Sequence, residues 1–173
     1  MSLVAPVRPS ADEQIPYFAQ YIALVPDGEI VETLETQIVE TAAFLRSFSP
    51  EKAVERPGAS EWNPVEIAGH LIDTERVLGY RALRIARADA TMWESIDFEA
   101  YVENAAFGER SMDSLVNEFL AVRNGTIAFL RGLDASAWER QMPDEWSCRT
   151  VRSLAYVIAG HELHHVIDLK ERW

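Results

Sequence analysis

The sequence predicts an all-α fold, a four-helix bundle. Three observations predict it. Four stretches of roughly twenty residues repeat apolar side chains every three to four positions, the period of a helix with one buried face. Helix start signals stand in front of several of them. No segment alternates apolar and polar residues in the two-residue rhythm of a strand.

Residues 1–27 carry Pro6, Pro9, Pro16 and Pro26 and read as an irregular N-terminal arm, expected to pack on the bundle, with a turn of helix around Gln14 to Tyr21. Residues 28–173 then form one domain, a size that buries a sizeable core. The first long helix covers 29–48, with Ile30, Leu34, Ile38, Ala42 and Leu45 on one stripe. A connector punctuated by Pro50, Pro57 and Gly58 follows. The second helix opens on Asn63 as N-cap, Pro64 at the first helical position and Glu66 at capping-box spacing, and runs to about Ala88. Residues 89–110 read as a long connection with one short helix. Ser111 opens the third helix to 131, with Leu115, Phe119, Val122, Ile127 and Leu130 inward. Ser147 is expected to cap the last, which ends near Arg172. Long connections between four helices suit a bundle.

Charge and composition exclude several functions. There are 28 acidic and 16 basic side chains, a net charge of −12, which repels nucleic acid and anionic membranes. The densest basic group, Arg81, Arg84 and Arg87, is interrupted by apolar residues and reads as one helix face. Cys148 is the single cysteine, so no internal disulfide forms, which fits a cytoplasmic location. No apolar run approaches the ~18 residues of a membrane helix. The opening "MSLVAPVRPSADEQ" lacks the order of a signal peptide.

The histidines carry the chemistry. "GHELHH", residues 160–165, holds His161, His164 and His165, and the one other histidine is His70. At about 100° per residue, His161 and His165 share a helix face. They continue the ridge Val151, Leu154, Ala155, Ile158 and Leu169. His164 follows the line Val157–Gly160–Asp168, expected at the periphery. His70 lies among Ile67, Leu71, Thr74 and Leu78, another inward ridge. Three interior imidazoles from two helices make a site for zinc, nickel or a related ion. A hydrogen-bonded core cluster is the competing reading, but each buried imidazole then needs its own polar partner. A weak echo accompanies them: "SEWNPVEIAGHL" and "DEWSCRTV…IAGHEL" each run from Glu-Trp to Ala-Gly-His.

His161, Glu162 and His165 also spell H-E-x-x-H, the zinc-protease pattern. Only eight residues follow His165, and Asp168 and Glu171 stand where a metzincin continuation needs Gly and His. With no strand to hold a peptide, the protease reading fails. Glu162 points about 100° away from its neighbour His161 and is not expected to be the base.

"EWNPVEIAGHLIDTERVLGYRALRIARADA", "AVRNGTIAFLRGL" and "IAGHELHHVIDLKERW" resemble the DinB-like, YfiT-like superfamily over about residues 20–173. The resemblance implies an up-down-down-up four-helix bundle, a homodimeric habit, and a nickel or zinc ion on His70, His161 and His165. It implies a small-molecule substrate and no DNA binding. Characterised relatives are transferases using low-molecular-weight thiols, a thiol-dependent isomerase, and hydrolases.

A metal-dependent S-transferase or hydrolase is therefore expected, with a non-catalytic metal-binding module or a structural dimer as alternatives. Glu66, Asp73 and Asp168 lie three or four residues from ligand candidates and could move protons or orient imidazoles, although surface ion pairs are their ordinary use. Arg76, Arg81, Arg84 and Arg123 could bind an anionic group, with ion pairing to Glu75 or another carboxylate as the alternative. Trp62, Trp93, Trp146 and Tyr101 could wall a pocket.

Overall fold

The computed structural model describes residues 7–13, 16–89, 91, 95–142 and 148–173. Its helices begin where short polar side chains satisfy the first free backbone N–H groups. Glu29 caps α2 (Ile30–Arg46). Asn63 and Glu66 form a reciprocal capping box on α4 (Pro64–Ala86), with Pro64 in its first turn. Ser111 caps α6 (Met112–Arg131). The start of α8 (Val151–Arg172) corrects the expectation from sequence: Thr150 is its cap, and Ser147 lies outside the described residues. Four short helices fill the rest: α1 (Pro16–Leu24), α3 (Pro50–Ala53), α5 (Phe98–Asn104) and α7 (Ala135–Glu139). Among the described residues there is no strand.

Ion pairs between helix ends give the directions. Arg46 at the end of α2 meets Asp113 at the start of α6, and Arg131 at the end of α6 meets Glu35 near the start of α2. These two helices are antiparallel. Arg172 at the end of α8 meets Glu61 just before α4, so α8 and α4 are antiparallel. Gln37 donates to the carbonyl of Ala159, and Thr41 donates to Glu162, so α2 and α8 run together. The order is up-down-down-up, as the family resemblance implies. Each long helix packs on two others: α6 and α8 each touch both α2 and α4.

Apolar side chains gather into two clusters. One centres on Ile30, Leu34, Ile85, Leu130 and Leu154, the other on Leu45, Ile72, Leu115, Phe119 and Leu169. Each fully buried aliphatic side chain there contributes roughly 1.5–3 kcal/mol. Leu34 and Ile38 on α2 fall in different clusters. Gln37, between them, is buried, as are Thr41, Glu75, Arg123 and Glu162.

The line Val157–Gly160 on α8, expected at the periphery, is buried at both residues. The reason is α1, which packs along α8 and brings the Tyr21 backbone against Gly160. From Val151 to Glu162 every residue of α8 except Arg152 is buried, as befits a helix covered on all sides. No helix among the described residues is long and apolar enough to cross a membrane.

Candidate metal centre

His70 comes from the second turn of α4, and His161 and His165 from successive turns of α8. Because these helices are antiparallel neighbours, the three rings meet. His161 Nε2 lies 3.1 Å from His70 Nε2 and 3.1 Å from His165 Nε2. One ligand atom from each residue lies within 4.8 Å of the others, and no other such group occurs among the described residues. His164 is exposed and outside this convergence, with Tyr21 and His165 as ring neighbours.

The donor set fits a divalent cation. A neutral imidazole nitrogen carries one proton or one in-plane lone pair. His161 Nε2 therefore cannot serve two neighbours at equal distance by ordinary hydrogen bonding. A cation shared by three lone pairs removes the conflict. Nitrogens bound ~2.0–2.1 Å from a tetrahedral zinc ion stand roughly 3.4 Å apart, close to the spacing here. Burial holds the His70 imidazole down to about 4 and that of His165 down to about 3, the latter helped by His70 and His164. For the same reason, His161 lies well below the ordinary histidine value. All three are neutral at pH 7 and keep their lone pairs. Thr74 Oγ1, one turn after His70, lies 3.4 Å from its Nδ1, the edge turned away from the centre.

Aromatic rings surround the imidazoles. Trp62 is 4.8 Å and Phe98 5.7 Å from the His70 ring, centroid to centroid, and both are half-buried. Tyr21 stands 5.5 Å from His161. Exposed Tyr101 continues the wall from Phe98. Trp62 also lines a groove of about 830 Å³ together with Glu99, Glu103 and Phe107. Trp93 and Trp146 lie outside the described residues.

The carboxylates singled out from sequence are placed as follows. Glu66 completes the α4 capping box and pairs with Arg56. Asp168 pairs with Arg172 at 2.8 Å. Asp73 has a longer 3.4 Å contact with Arg76 and lines a depression of about 410 Å³ with Asp97 and Tyr101. Burial pushes the Asp73 carboxyl up, against the pull of Arg76. The arginines offered for an anionic substrate have protein partners: Arg76 meets Glu118, Arg84 meets Asp89, and Arg81 is engaged as well.

Arg123 settles on its alternative reading, deep in the bundle. It donates from Nε and Nη2 to Glu75 at 2.8 Å each, and its Nη1 faces Glu162 Oε2 at 2.6 Å. Burial pushes the Glu162 carboxyl up, with Arg123 and Thr41 opposing. Burial alone would lower the guanidinium, but Glu162 and Glu75 outweigh it and hold Arg123 protonated. Sequence reasoning missed this cluster as a unit, along with the positions of Phe98 and Tyr21. Its signal is a charged residue inside each apolar stripe: Arg123 between Phe119 and Ile127, Glu75 between Leu71 and Leu78, and Glu162 four after Ile158.

Bundle and histidines together define a class, helical proteins with a candidate metal site between antiparallel helices. The chain belongs to the DinB superfamily, whose family model matches residues 33–169. Its fold is similar to that of YfiT from Bacillus subtilis, described as a probable metal-dependent hydrolase with an unusual four-helix bundle topology. The two share 14% identity, the match covers 97% of this chain and 92% of that one, and the TM-score is 0.69. No curated protein matches this sequence.

Proposed function

We propose that this chain is a metal-dependent hydrolase of a small molecule, with a divalent cation, zinc or nickel, on His70, His161 and His165. The observation that carries the reading is the meeting of three neutral imidazoles, with His161 Nε2 3.1 Å from both His70 Nε2 and His165 Nε2, beside a half-buried aromatic wall. When bound, such an ion supplies Lewis acidity at neutral pH. Three neutral ligands leave its charge undiminished and positions open. The description of YfiT as a probable metal-dependent hydrolase supports the reading.

The chain's own residues take the remaining roles. Trp62, Phe98 and Tyr101 hold an apolar part of the substrate against the His70 side and keep bulk water back. Asp73 is the carboxylate left to move a proton, since Glu66 and Asp168 are held by stronger partners. Its raised pKa suits that work.

Elemental analysis of untagged protein tests the centre. Wild type and His164→Ala carry about one equivalent of a divalent transition metal, and His70→Ala and His161→Ala lose it. Wild-type protein that holds no stoichiometric metal and gains none on incubation sinks the reading. Ester and amide hydrolysis are then assayed beside a thiol with an electrophile. Turnover of the thiol pair alone reassigns the reaction to S-transfer.

A further inference from the structure

Beneath the three imidazoles lies the Glu75–Arg123–Glu162 cluster, with Arg123 1%, Glu162 2% and Glu75 4% exposed. Burying three charges costs more solvation than their attraction returns in many proteins, and apolar replacements are often as stable. The cluster therefore invites a role beyond holding helices together. It encloses a cavity of about 10 Å³, lined by His161, Thr74, Glu75, Arg123 and Glu162. That is the room one water needs, and the polar lining offers it partners. Two of those partners have capacity to spare. Arg123 Nη1 and Glu162 Oε2 attract as an ion pair, yet neither has a partner in hydrogen-bond geometry. His161 joins the two sites. Its Nε2 faces His70 and His165, Nδ1 is its remaining polar atom, and the residue itself lines the cavity.

We propose that a water in this cavity links His161 to the Glu75–Arg123–Glu162 cluster, making Glu75 and Glu162 positioning residues for His161. The link holds the proton on Nδ1 and keeps the Nε2 lone pair aimed at the centre. Outer partners of this kind set ligand tautomer and ring orientation in metal sites generally. The inference rests on the metal reading of the three histidines, but its first test needs no metal. In ¹⁵N-histidine spectra of metal-free wild type, His161 is the Nδ1–H tautomer with a slowly exchanging ring proton. An Nε2–H tautomer overturns the inference while leaving the metal centre standing.

The second test is zinc affinity, measured by chelator competition for Glu75→Gln and Glu162→Gln. Both substitutions keep shape and remove charge. Affinity falls about 10–100-fold, and the His161 ring nitrogens shift toward a tautomer mixture. Glu35→Gln, which removes a carboxylate paired with Arg131 away from the cavity lining, leaves zinc affinity within twofold. Unchanged affinity and tautomer in folded Gln variants refute the positioning role. Failure of wild type to bind zinc, nickel or cobalt refutes the metal reading instead, and the metal-free spectra still decide the cavity link.

Discussion

The backbone of α8 at Gly160 lies directly against the carbonyl of Tyr21 on α1, so a Cβ added to Gly160 would overlap it. Gly69 on α4 has the corresponding place under the Phe107 ring. Each glycine immediately precedes a histidine of the centre. The repeated Ala-Gly-His of the sequence thus marks two helices that admit a close neighbour just before their ligand residue. Glycine to alanine in an open helix gains about 1 kcal/mol. Here the outcome reverses. Gly160→Ala meets backbone and loses about 1–3 kcal/mol in urea denaturation. Gly69→Ala loses less, because a side-chain ring can turn aside. Equal or stabilising effects at Gly160 would show that α1 does not press on α8 in solution.

Legibility followed the strength of the local rule. Helix periods and the Asn63 capping box are encoded within a few residues, and three of the four long helices begin where the sequence marks them. The fourth begins later, because Thr150 rather than an upstream serine receives the Ser153 N–H. The convergence of His70, His161 and His165 was readable because each lies on the apolar ridge of its helix. The cluster around Arg123 was not, since a charge in an apolar stripe reveals its partner only once three helices are brought together. That the arm packs on Val157 and Gly160 in particular also escaped, because a proline-rich arm gives no period from which to read the face it covers.

Metal-free protein loses stability as pH falls from about 6.5. His70 and His165 titrate near 4 and 3 in the folded chain and His161 well below its ordinary value, against about 6.5 when unfolded. Below pH 6.5 the unfolded chain takes up protons that the folded chain refuses. The stability present above that pH is therefore lost as pH drops toward the folded values. The denaturant midpoint falls between pH 7.5 and 4.5, and His70→Asn with His165→Asn flattens the slope. A slope unchanged in the double variant would show that other groups set it.

Glu13 ties the N-terminal segment to the start of α8. It is 2% exposed. Its carboxylate accepts from Ser10, from Thr150 at 2.7 Å and from Arg152 at 2.8 Å, and its carbonyl accepts from the Arg149 N–H at 3.1 Å. Burial would raise its pKa, but Arg152, Thr150 and Ser10 more than offset that and hold it below the usual range. Hydrogen bonds to charged groups contribute ~1.5–3 kcal/mol, so Glu13→Ala lowers stability by about that amount at pH 7. The deficit shrinks as pH falls through and below the ordinary carboxylate range and wild-type Glu13 is protonated. A loss independent of pH down to 3 would point to packing instead.

Asp73 and Trp62 separate proton transfer from substrate holding. Asp73 lies one turn beyond His70, in a depression it shares with Tyr101, whose ring touches Phe98 on the wall of the centre. Trp62 packs at a tilt against the His70 ring itself. If Asp73 moves the proton, Asp73→Asn lowers kcat by about 10²–10⁴-fold. KM and metal content stay near wild type, because Asp73 is not among the three nitrogen donors. Trp62→Leu removes one face of the wall while keeping bulk, so it raises KM several-fold with a smaller change in kcat. Both are read from steady-state kinetics on the substrate that turns over best, with metal content measured on the same samples. An Asp73→Asn enzyme with wild-type kcat removes Asp73 from the mechanism and returns the proton to solvent or to the substrate.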